Sequence, residues 1–321
     1  MTEMQPPRLT VIIAVRNAVS TISRALDSLI AQHYPNLEII VYDGLSDDGT
    51  VKVLEHYAHV ITVLKSERDN GPTDGYRKGI ALATGEYIGR LNADDVYEPG
   101  TLWAVADNIV KYPDAELFSF GMICRVQNRR GQSKVQGYFA DERQLDISLE
   151  SVLSENPISL LPRFIRKSLF QDVGAFNLDR KLWYYSSDRE WMARLALRGC
   201  KNVIIPHALY GLTYRCKSPH ETLENSAALM EEHTQIAQSL LARSDLTARQ
   251  KDVIVSWQCR QLAIGFWQAL LVIRLDKAET FVTQGIACRG WKFVPLSLYL
   301  LIRKLSKTMC LWVCGGINRG I

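Results

Sequence analysis

Two adjacent carboxylates, Asp94 and Asp95, end the segment Gly-Glu-Tyr-Ile-Gly-Arg-Leu-Asn-Ala-Asp-Asp at residues 85–95. Neighbouring carboxylates repel each other unless a cation neutralises them. Small hard cations such as Mg²⁺ or Mn²⁺ bind carboxylate oxygens and keep positions open for water or substrate phosphates. The pair therefore predicts a divalent metal site. Its structural alternative is a helix N-cap, with Pro99 at the first position of the next helix.

Strand-like segments precede this pair and two further acidic residues. Residues 86–91 alternate polar and apolar side chains, as a strand does, and Asp94 follows them. Asp43 and Asp69 likewise follow apolar, strand-like runs. Ligands of an open α/β sheet bind at the carboxyl ends of its strands. Three acidic strand ends therefore predict one shared ligand site, although each could also be an ordinary turn residue.

The hydrophobic pattern predicts the elements that would position these residues. The run Leu9–Val15 is almost continuously apolar, as in a parallel strand covered on both faces. Strand and helix patterns then alternate, with helices predicted at 22–30, 50–57, 73–83 and 102–112, and strands at 37–42, 60–64, 86–91 and 116–120. This alternation predicts an α/β fold with a doubly wound, mostly parallel central sheet. Long helical patterns without strand signals predict a helical C-terminal extension.

Composition narrows the class of protein. The 321 residues are 47% hydrophobic and 22% charged, which is typical of a globular chain of about two domains. A net charge of +4 is too small to predict nucleic-acid binding. Seven cysteines without paired spacing predict free thiols in a reducing compartment. With no export signal and no apolar run of ~18 residues, the sequence predicts a cytoplasmic protein.

Six motifs follow one another between residues 9 and 95. They are Leu9–Val15, Asp-Gly-Leu-Ser-Asp-Asp-Gly-Thr at 43–50, Glu-x-Asp-x-Gly-x-x-Asp at 67–74, Lys-Gly at 78–79, Ala-Thr-Gly-Glu-Tyr at 83–87 and Leu-Asn-Ala-Asp-Asp at 91–95. In this order they resemble the nucleotide-sugar domain of family-two glycosyltransferases, which have the GT-A fold. The resemblance covers residues 9 to about 120 and continues more weakly to about 214. It implies inverting transfer of one sugar to an acceptor hydroxyl in cell-surface polysaccharide or lipid-linked oligosaccharide synthesis.

The resemblance also implies the residues that bind the donor. The end of the first strand and Asp43 would hold the nucleotide base, and Asp74 and Arg77 would lie near the ribose and diphosphate. The whole predicted set is Ala14, Val15, Arg16, Asn17, Asp43, Asp69, Asp74, Arg77, Asn92, Ala93 and Asp94. The family often has aspartate where this chain has Asn92, which can accept a hydrogen bond but carries no charge. Mn²⁺ or Mg²⁺ would then rest on Asp94 and Asp95, either of which could be the direct ligand.

A general base is implied at Asp188. Family members commonly carry an aspartate here after an acidic or small residue, and Ser187-Asp188 matches the second form. An aspartate carboxylate is ionised at neutral pH and can take a proton from the attacking hydroxyl. Asp188 precedes a helical pattern, so helix capping is its structural alternative. Glu190 is the second candidate for the base.

The predicted organisation has three parts. Residues 1–120 form the nucleotide-sugar half, 121–220 the acceptor half of the same catalytic domain, and 221–321 a helical region. Within the last, 290–321 is basic and has an apolar stripe at helical spacing. That pattern favours peripheral contact with the cytoplasmic face of a membrane, and a helix packed on protein is the alternative. The predicted partners are a nucleotide sugar and a glycan or lipid-linked acceptor.

Two other functions remain open from the sequence. A sugar-phosphate nucleotidyltransferase uses a similar core, but it would need a Gly-rich basic loop where Ala-Val-Arg-Asn stands at 14–17. A nucleotide-sugar-binding subunit with impaired catalysis would keep the fold. Asn92 and the lack of an acidic neighbour before Asp188 keep this second alternative open.

Overall fold

The computed structural model describes residues 5–127, 133–139, 141–154, 160–177, 186–215, 219–271 and 281–284. The chain forms two compact units, Met1–Cys216 and Lys217–Ile321. In the part of the chain that the structure describes, no helix combines the length and apolar character needed to cross a membrane. The segment 290–321 lies outside the described residues, so its contact with a membrane stays a prediction.

The first unit alternates strands and helices. Its strands are β1 (Leu9–Val15), β2 (Leu37–Asp43), β3 (Val63–Ser66), β4 (Tyr87–Arg90), β5 (Val96–Tyr97), β6 (Leu117–Gln127), β7 (Ser133–Phe139), β8 (Arg163–Arg166) and β9 (Asn202–Arg215). Its helices are α1 (Ile22–Ile30), α2 (Thr50–His56), α3 (Pro72–Leu82), α4 (Thr101–Lys111), α5 (Glu142–Leu145), α6 (Leu149–Val152), α7 (Lys167–Val173) and α8 (Ser187–Arg198). The second unit contains α9 (Pro219–Leu241) and α10 (Ala248–Leu271), which confirms the predicted helical extension.

The strands form one sheet in the order β3-β2-β1-β4-β8-β6-β9-β5, with β7 paired to β6. Strands β3, β2, β1 and β4 are parallel to one another, and β6 is parallel to β9. Strand β8 is antiparallel to β4 and β6, so six of the nine strands in the described residues run the same way. Strands β5, β7 and β8 run in the opposite direction. The predicted α/β class with a mostly parallel central sheet is confirmed.

Strand β1 lies between β2 and β4, and both of its faces are buried. Leu9, Val11 and Ile13 pack with the apolar face of α1, while Ile12 lies on the other face of the sheet. Full burial of one such side chain stabilises the fold by about 1.5–3 kcal/mol. The register pairs Val15 with Asp43, so the carboxyl ends of β1 and β2 are level. The loops that follow the two strands therefore meet at one edge of the sheet.

The second half of the sheet differs most from the sequence-based prediction. The strand predicted at 116–120 continues to Gln127 as β6. Strand β9, which the sequence analysis did not identify, pairs with β6 over most of its length. A register shift between Phe120 and Gly121 interrupts the pairing. These pairings join segments about 85 residues apart, and local hydrophobic patterns carry no information on such partners.

A buried carboxylate lies inside the apolar run of β2. Glu38 is 2% exposed and accepts hydrogen bonds from the hydroxyls of Thr10 and Thr84 and from the backbone N–H groups of Thr84 and Gly85. Arg8 also donates to it at 3.3 Å. Burial opposes ionisation, but these hydrogen bonds outweigh it and hold the pKa of Glu38 below its ordinary value. Glu38 thus ties together β1, β2 and the segment that precedes β4.

We expect Glu38→Gln to lower the free energy of unfolding at pH 7 by about 1–3 kcal/mol, because an amide NH₂ would face buried donors. A carboxyl with a lowered pKa stabilises the folded state above its unfolded pKa. That contribution is lost as the pH falls from the ordinary value of 4.5 through the folded value. In urea unfolding, the difference in the free energy of unfolding between the wild type and the variant should become smaller as the pH falls over that range. Glu55→Gln, at an exposed position, is the control. A difference in the free energy of unfolding that does not change with pH would contradict the prediction.

Candidate active site

A cavity of about 540 Å³ opens at the carboxyl ends of β1 and β4. This volume falls in the usual range of ligand sites, about 300–1,000 Å³. Its lining residues come from the end of β1, the start of α1, the loop before α3 and the end of β4: Ala14, Val15, Arg16, Asn17, Ala18, Ser20, Thr21, Asp69, Gly71, Pro72, Arg90, Asn92, Ala93 and Asp94. Of the predicted donor set, the structure brings together Ala14, Val15, Arg16, Asn17, Asp69, Asn92, Ala93 and Asp94. Asp43, Asp74, Arg77, Asp95 and Asp188 are not among the lining residues.

The loop after β1 is fixed by the loop after β2. Asn17 has a φ of 53°, a left-handed conformation that asparagine adopts more readily than most residues. Its backbone N–H donates to the Ser46 hydroxyl at 2.9 Å, and its side-chain oxygen accepts from the N–H of Asp47 at 3.0 Å. The wall formed by Arg16 and Asn17 is therefore held in place from the neighbouring strand end.

Asp43 is fully buried at the end of β2. Its carboxylate accepts hydrogen bonds from the Ser66 hydroxyl at 2.6 Å and the Ser46 N–H at 3.1 Å, and also from the Ser46 hydroxyl. These contacts tie the loop after β2 to β3 and to the Asn17 turn. Asp43 thus supports the cavity wall, and its predicted contact with the nucleotide base stays a prediction.

Asp69 reaches the cavity because two glycines leave room for it. Its carboxylate accepts the N–H of Gly71 at 2.8 Å. A Cβ added at Gly44 would lie 2.7 Å from the Asp69 carboxylate oxygen, and one at Gly75 would lie 3.2 Å from it. Any larger residue at Gly44 would displace this carboxylate. Gly44 and Gly75 each directly follow an aspartate in the sequence. These Asp-Gly pairs were the sequence signal by which the two glycines could have been identified as site residues.

Asp74 and Arg77 form an ion pair in the first turns of α3. The Asp74 carboxylate accepts from Arg77 Nη2 at 2.8 Å and from the backbone N–H of Asn70 at 3.0 Å. Burial opposes ionisation of Asp74, but these partners outweigh it and lower its pKa. The helix begins at Pro72 after the N-cap Gly71, so Asp74 is not the cap. The predicted roles of the pair at the ribose and diphosphate stay predictions.

Asp95 faces inward, away from the cavity lining. One carboxylate oxygen accepts from the Tyr210 hydroxyl at 2.7 Å and from Asn92 Nδ2 at 3.0 Å, and the other accepts from the Thr213 N–H at 2.8 Å. Burial raises the pKa of Asp95 to about 6, although the hydrogen bonds from Thr213 and Tyr210 act in the opposite direction. Two of these donors, Tyr210 and Thr213, lie on β9, so they anchor the turn that carries Asp94 to that strand.

Asp94 is half-buried and lines the cavity. The guanidinium of Arg24, on α1, donates to its backbone carbonyl, which fixes the turn without occupying the carboxylate. Among the residues that the structure describes, no group of three or more His, Cys, Asp or Glu side chains could hold a metal. Mg²⁺ and Mn²⁺ sites commonly use one or two carboxylates together with substrate phosphates. The half-buried Asp94 carboxylate, which lines the cavity, fits a metal ion that the donor phosphates help to bind.

Arg90 is a cavity residue that the sequence analysis did not identify. It ends β4, and its guanidinium lies 5.4 Å from the centre of the Tyr76 ring. An arginine over an aromatic face is stabilised by a cation–π interaction. In a strand, residues 90 and 92 point to the same side of the sheet. This alternation was the sequence signal that could have placed Arg90 in the site beside Asn92. The cavity therefore combines two cations, Arg16 and Arg90, with two carboxylates, Asp69 and Asp94.

Asp188 is the second residue of α8 and is half-buried. The N-cap is Ser186, so capping does not account for Asp188, whose carboxylate accepts the N–H of Arg189 at 2.8 Å. The hydroxyls of Ser187 and Thr73 lie 2.8 Å apart. Since Pro72 lines the cavity, the start of α8 is placed next to the α3 wall of the cavity. The role of Asp188 as a base stays a prediction.

Glu190 has a different environment from Asp188. It is 6% exposed, and both of its carboxylate oxygens accept hydrogen bonds from Arg194, at 2.8 and 2.9 Å. A buried carboxylate in a two-point ion pair is held by its partner and is poorly placed to take a proton from a substrate. This observation favours Asp188 over Glu190.

Solved structures with similar folds include two that contain a nucleotide sugar. "S. aureus TarS 1-349 in complex with UDP-GlcNAc" aligns with a TM-score of 0.63 and 17% identity, over 90% of this chain and 81% of that one. "Mannosyltransferase PcManGT from Pyrobaculum calidifontis in complex with GDP-Man and Mn2+" aligns with a TM-score of 0.60 and 18% identity, over 96% and 84%. At these identities the likeness concerns the fold, which is GT-A-like.

Relatives in sequence are named as glycosyltransferases. The "PGL/p-HBAD biosynthesis glycosyltransferase" of Mycobacterium bovis is 29% identical over 179 residues, or 54% of this chain. The match spans only 65% of the relative's length. An "Uncharacterized glycosyltransferase" of Haemophilus influenzae is 23% identical over 239 residues, covering 71% of this chain and 73% of its own length. The pattern of "Glycosyl transferase family 2" matches residues 10–170, which hold the cavity and half of the chain. The chain therefore belongs to glycosyl transferase family 2.

Proposed function

We propose that this protein is an inverting glycosyltransferase that moves one sugar from a nucleotide-sugar donor to an acceptor hydroxyl in glycan synthesis. The observation that carries this proposal is the 540 Å³ cavity, in which Arg16, Arg90, Asp69, Asn92 and Asp94 meet at the strand ends of a family 2 fold. The donor class is supported by the neighbours with similar folds, whose titles name UDP-GlcNAc in one case and GDP-Man with Mn²⁺ in the other.

The charges of the cavity suggest how a donor is held. A nucleotide sugar carries its negative charge on the diphosphate, and Arg16 and Arg90 supply positive charge at the cavity wall. Asp94 would contribute the direct carboxylate ligand of Mn²⁺ or Mg²⁺, while Asp95 holds the turn from below through Tyr210 and Thr213. A bound metal offsets the charge that develops on the leaving nucleoside diphosphate.

The acceptor side of the proposal rests on α8. Asp188 stands at the start of this helix, beside the residue whose hydroxyl meets Thr73 at the cavity wall. With Glu190 held by Arg194, Asp188 is the carboxylate left to accept the proton of an acceptor hydroxyl. General-base catalysis of this kind is typically worth ~10²–10⁴-fold in rate. The acceptor is proposed to be a glycan or lipid-linked saccharide.

Calorimetry with UDP and GDP tests the donor site. We expect one of the two nucleotides to bind at least ~10-fold more tightly with Mn²⁺ or Mg²⁺ than with EDTA, because the diphosphate and Asp94 share the ion. Arg90→Gln should weaken binding in both buffers, since it removes a cavity cation. Arg243→Gln, in the second unit, is the charge-matched control. Equal affinity with metal and with EDTA would remove the metal from the proposal.

A separate assay distinguishes the enzyme from a binding subunit with impaired catalysis. Both would bind nucleotide with metal, but only the enzyme releases nucleoside diphosphate faster when an acceptor is added. Purified protein is incubated with the donor whose nucleotide binds, with and without membrane-extracted glycolipid. Release that never exceeds the acceptor-free rate, across the available glycan fractions, would favour the binding subunit.

A further inference from the structure

A second cavity of about 330 Å³ lies between α3 and α7. Its lining residues are Arg77, Ile80, Ala81, Lys167, Phe170, Gln171, Gly174, Ala175 and Phe176, and none of them lines the donor cavity. Along α3, Ala81 is nine residues beyond Pro72, or about 14 Å at 1.5 Å per residue. The second cavity is therefore a separate site on the helix that walls the first.

Aromatic rings form the floor of this second cavity. Phe170 and Phe176 stack on the indole of Trp191, with ring centres 5.1 and 5.3 Å away. Tyr76 meets both phenylalanines edge-on, at 6.2 and 5.9 Å. Trp191 and Tyr76 are themselves buried. Rings packed from behind in this way keep their positions, so the floor is a preformed apolar surface.

The loop after α7, residues 174–176, forms one side of the second cavity, and its backbone is held in place. Trp191 Nε1 donates to the carbonyl of Gly174 at 2.9 Å, and Arg194 Nη2 donates to the carbonyl of Ala175 at 2.8 Å. Arg194 also donates to the carbonyl of Val173. Three consecutive carbonyls are thus satisfied from α8. The apolar side chains of this loop are left as the part that meets a ligand.

Two cations complete the lining. Lys167 Nζ donates to the neutral carbonyl of Ala83 at 2.6 Å, and no carboxylate of the described residues forms an ion pair with it. Arg77 pairs with Asp74 at 2.8 Å, but the Asp74 side chain is only 3% exposed while that of Arg77 is 42% exposed. The positive group of this ion pair therefore meets the solvent, and the negative group does not. The cavity offers cationic groups beside an apolar floor.

We propose that the cavity between α3 and α7 binds an anionic amphiphile. Its phosphate or carboxylate group contacts Arg77 and Lys167, and its hydrocarbon chain covers Phe170 and Phe176. Cationic groups recognise the acidic head, and the aromatic floor removes apolar chain from water. The volume, close to the lower end of the range for ligand sites, suits a single chain. The proposal does not rest on the proposed function, because none of its lining residues lines the donor cavity. It assigns Arg77, which the sequence analysis placed near the donor diphosphate, to the second cavity instead.

Calorimetry with dodecyl phosphate, below its micelle concentration, tests this inference. We expect saturable binding, and no comparable binding of inorganic phosphate or of an uncharged dodecyl glycoside, because each lacks half of the recognised chemistry. Ala81→Trp should fill the cavity from an exposed helical position and weaken binding by about tenfold or more. Lys167→Gln should weaken it less, because the apolar floor remains. Leu82→Trp, at the next exposed position and outside the lining, should bind as the wild type does.

Several outcomes would overturn the inference. Inorganic phosphate binding as tightly as dodecyl phosphate would show a simple anion site, and equal binding of the glycoside would show a purely apolar one. Unchanged binding by Ala81→Trp would place the site elsewhere. If that variant fails to fold, as judged by circular dichroism, Gln171→Trp fills the same cavity from an exposed position on α7. Binding that survives in this second variant is equally contrary to the proposal.

Discussion

Asp188→Asn is expected to lower kcat by about 10²–10⁴-fold and to leave donor affinity within a few-fold. Asparagine has nearly the shape of aspartate and can still accept the N–H of Arg189, so the start of α8 should keep its structure. It cannot take a proton from an acceptor hydroxyl. Steady-state kinetics with donor and acceptor, together with donor titration, separates the loss of chemistry from a loss of binding.

Glu190→Gln is the matched control for this experiment, two residues further along the same helix. It breaks the ion pair with Arg194, whose guanidinium also holds the carbonyls of Val173 and Ala175. We expect a lower free energy of unfolding and much smaller loss of kcat in the protein that remains folded. Near-normal turnover of Asp188→Asn would overturn its assignment, and a large kcat loss in Glu190→Gln would then transfer the role.

Asp94→Asn should weaken metal-dependent binding of the nucleoside diphosphate by about 10²-fold or more. The carboxylate of Asp94 lines the cavity, and its loss removes the charged ligand that the proposed function gives to the metal. The side chain is half-buried and the described bond from Arg24 reaches its backbone, so the melting temperature without ligand should change little. Calorimetry with Mn²⁺ present, compared with EDTA, measures the effect.

Asp95→Asn should give the opposite pattern. An amide at this position places an NH₂ group against Tyr210, Asn92 or Thr213, all of which now donate to the carboxylate. We expect a loss of about 1–3 kcal/mol in the free energy of unfolding. Metal-dependent binding should fall only through the disturbed turn, by about 10–100-fold as for other supporting residues. Equal stability of the two variants would show that the described contacts do not distinguish the neighbouring aspartates.

The first half of the sheet could be predicted from local hydrophobic patterns. Buried parallel strands must be continuously apolar, so Leu9–Val15 was predicted with the bounds that the structure gives. The ends of the predicted strands then placed Asp43, Asp69 and Asp94 at one edge of the sheet. Asp69 and Asp94 line the cavity at that edge, whereas Asp43 is buried. Both inferences use only neighbours within a few residues, which is the range over which side-chain periodicity operates.

The contacts of each polar residue, in contrast, depend on how distant strands pack together in the fold. The sequence shows Asp94 and Asp95 as equals, but Tyr210 and Thr213, more than a hundred residues later, turn Asp95 into a buried anchor. Asp43 likewise points inward because Ser66 reaches it from β3. The type of a residue determines what chemistry it can perform, whereas its exposure and its hydrogen-bond donors depend on which distant strands pack beside it. For this reason the sequence predicted the place of the site but not which of its carboxylates face the cavity.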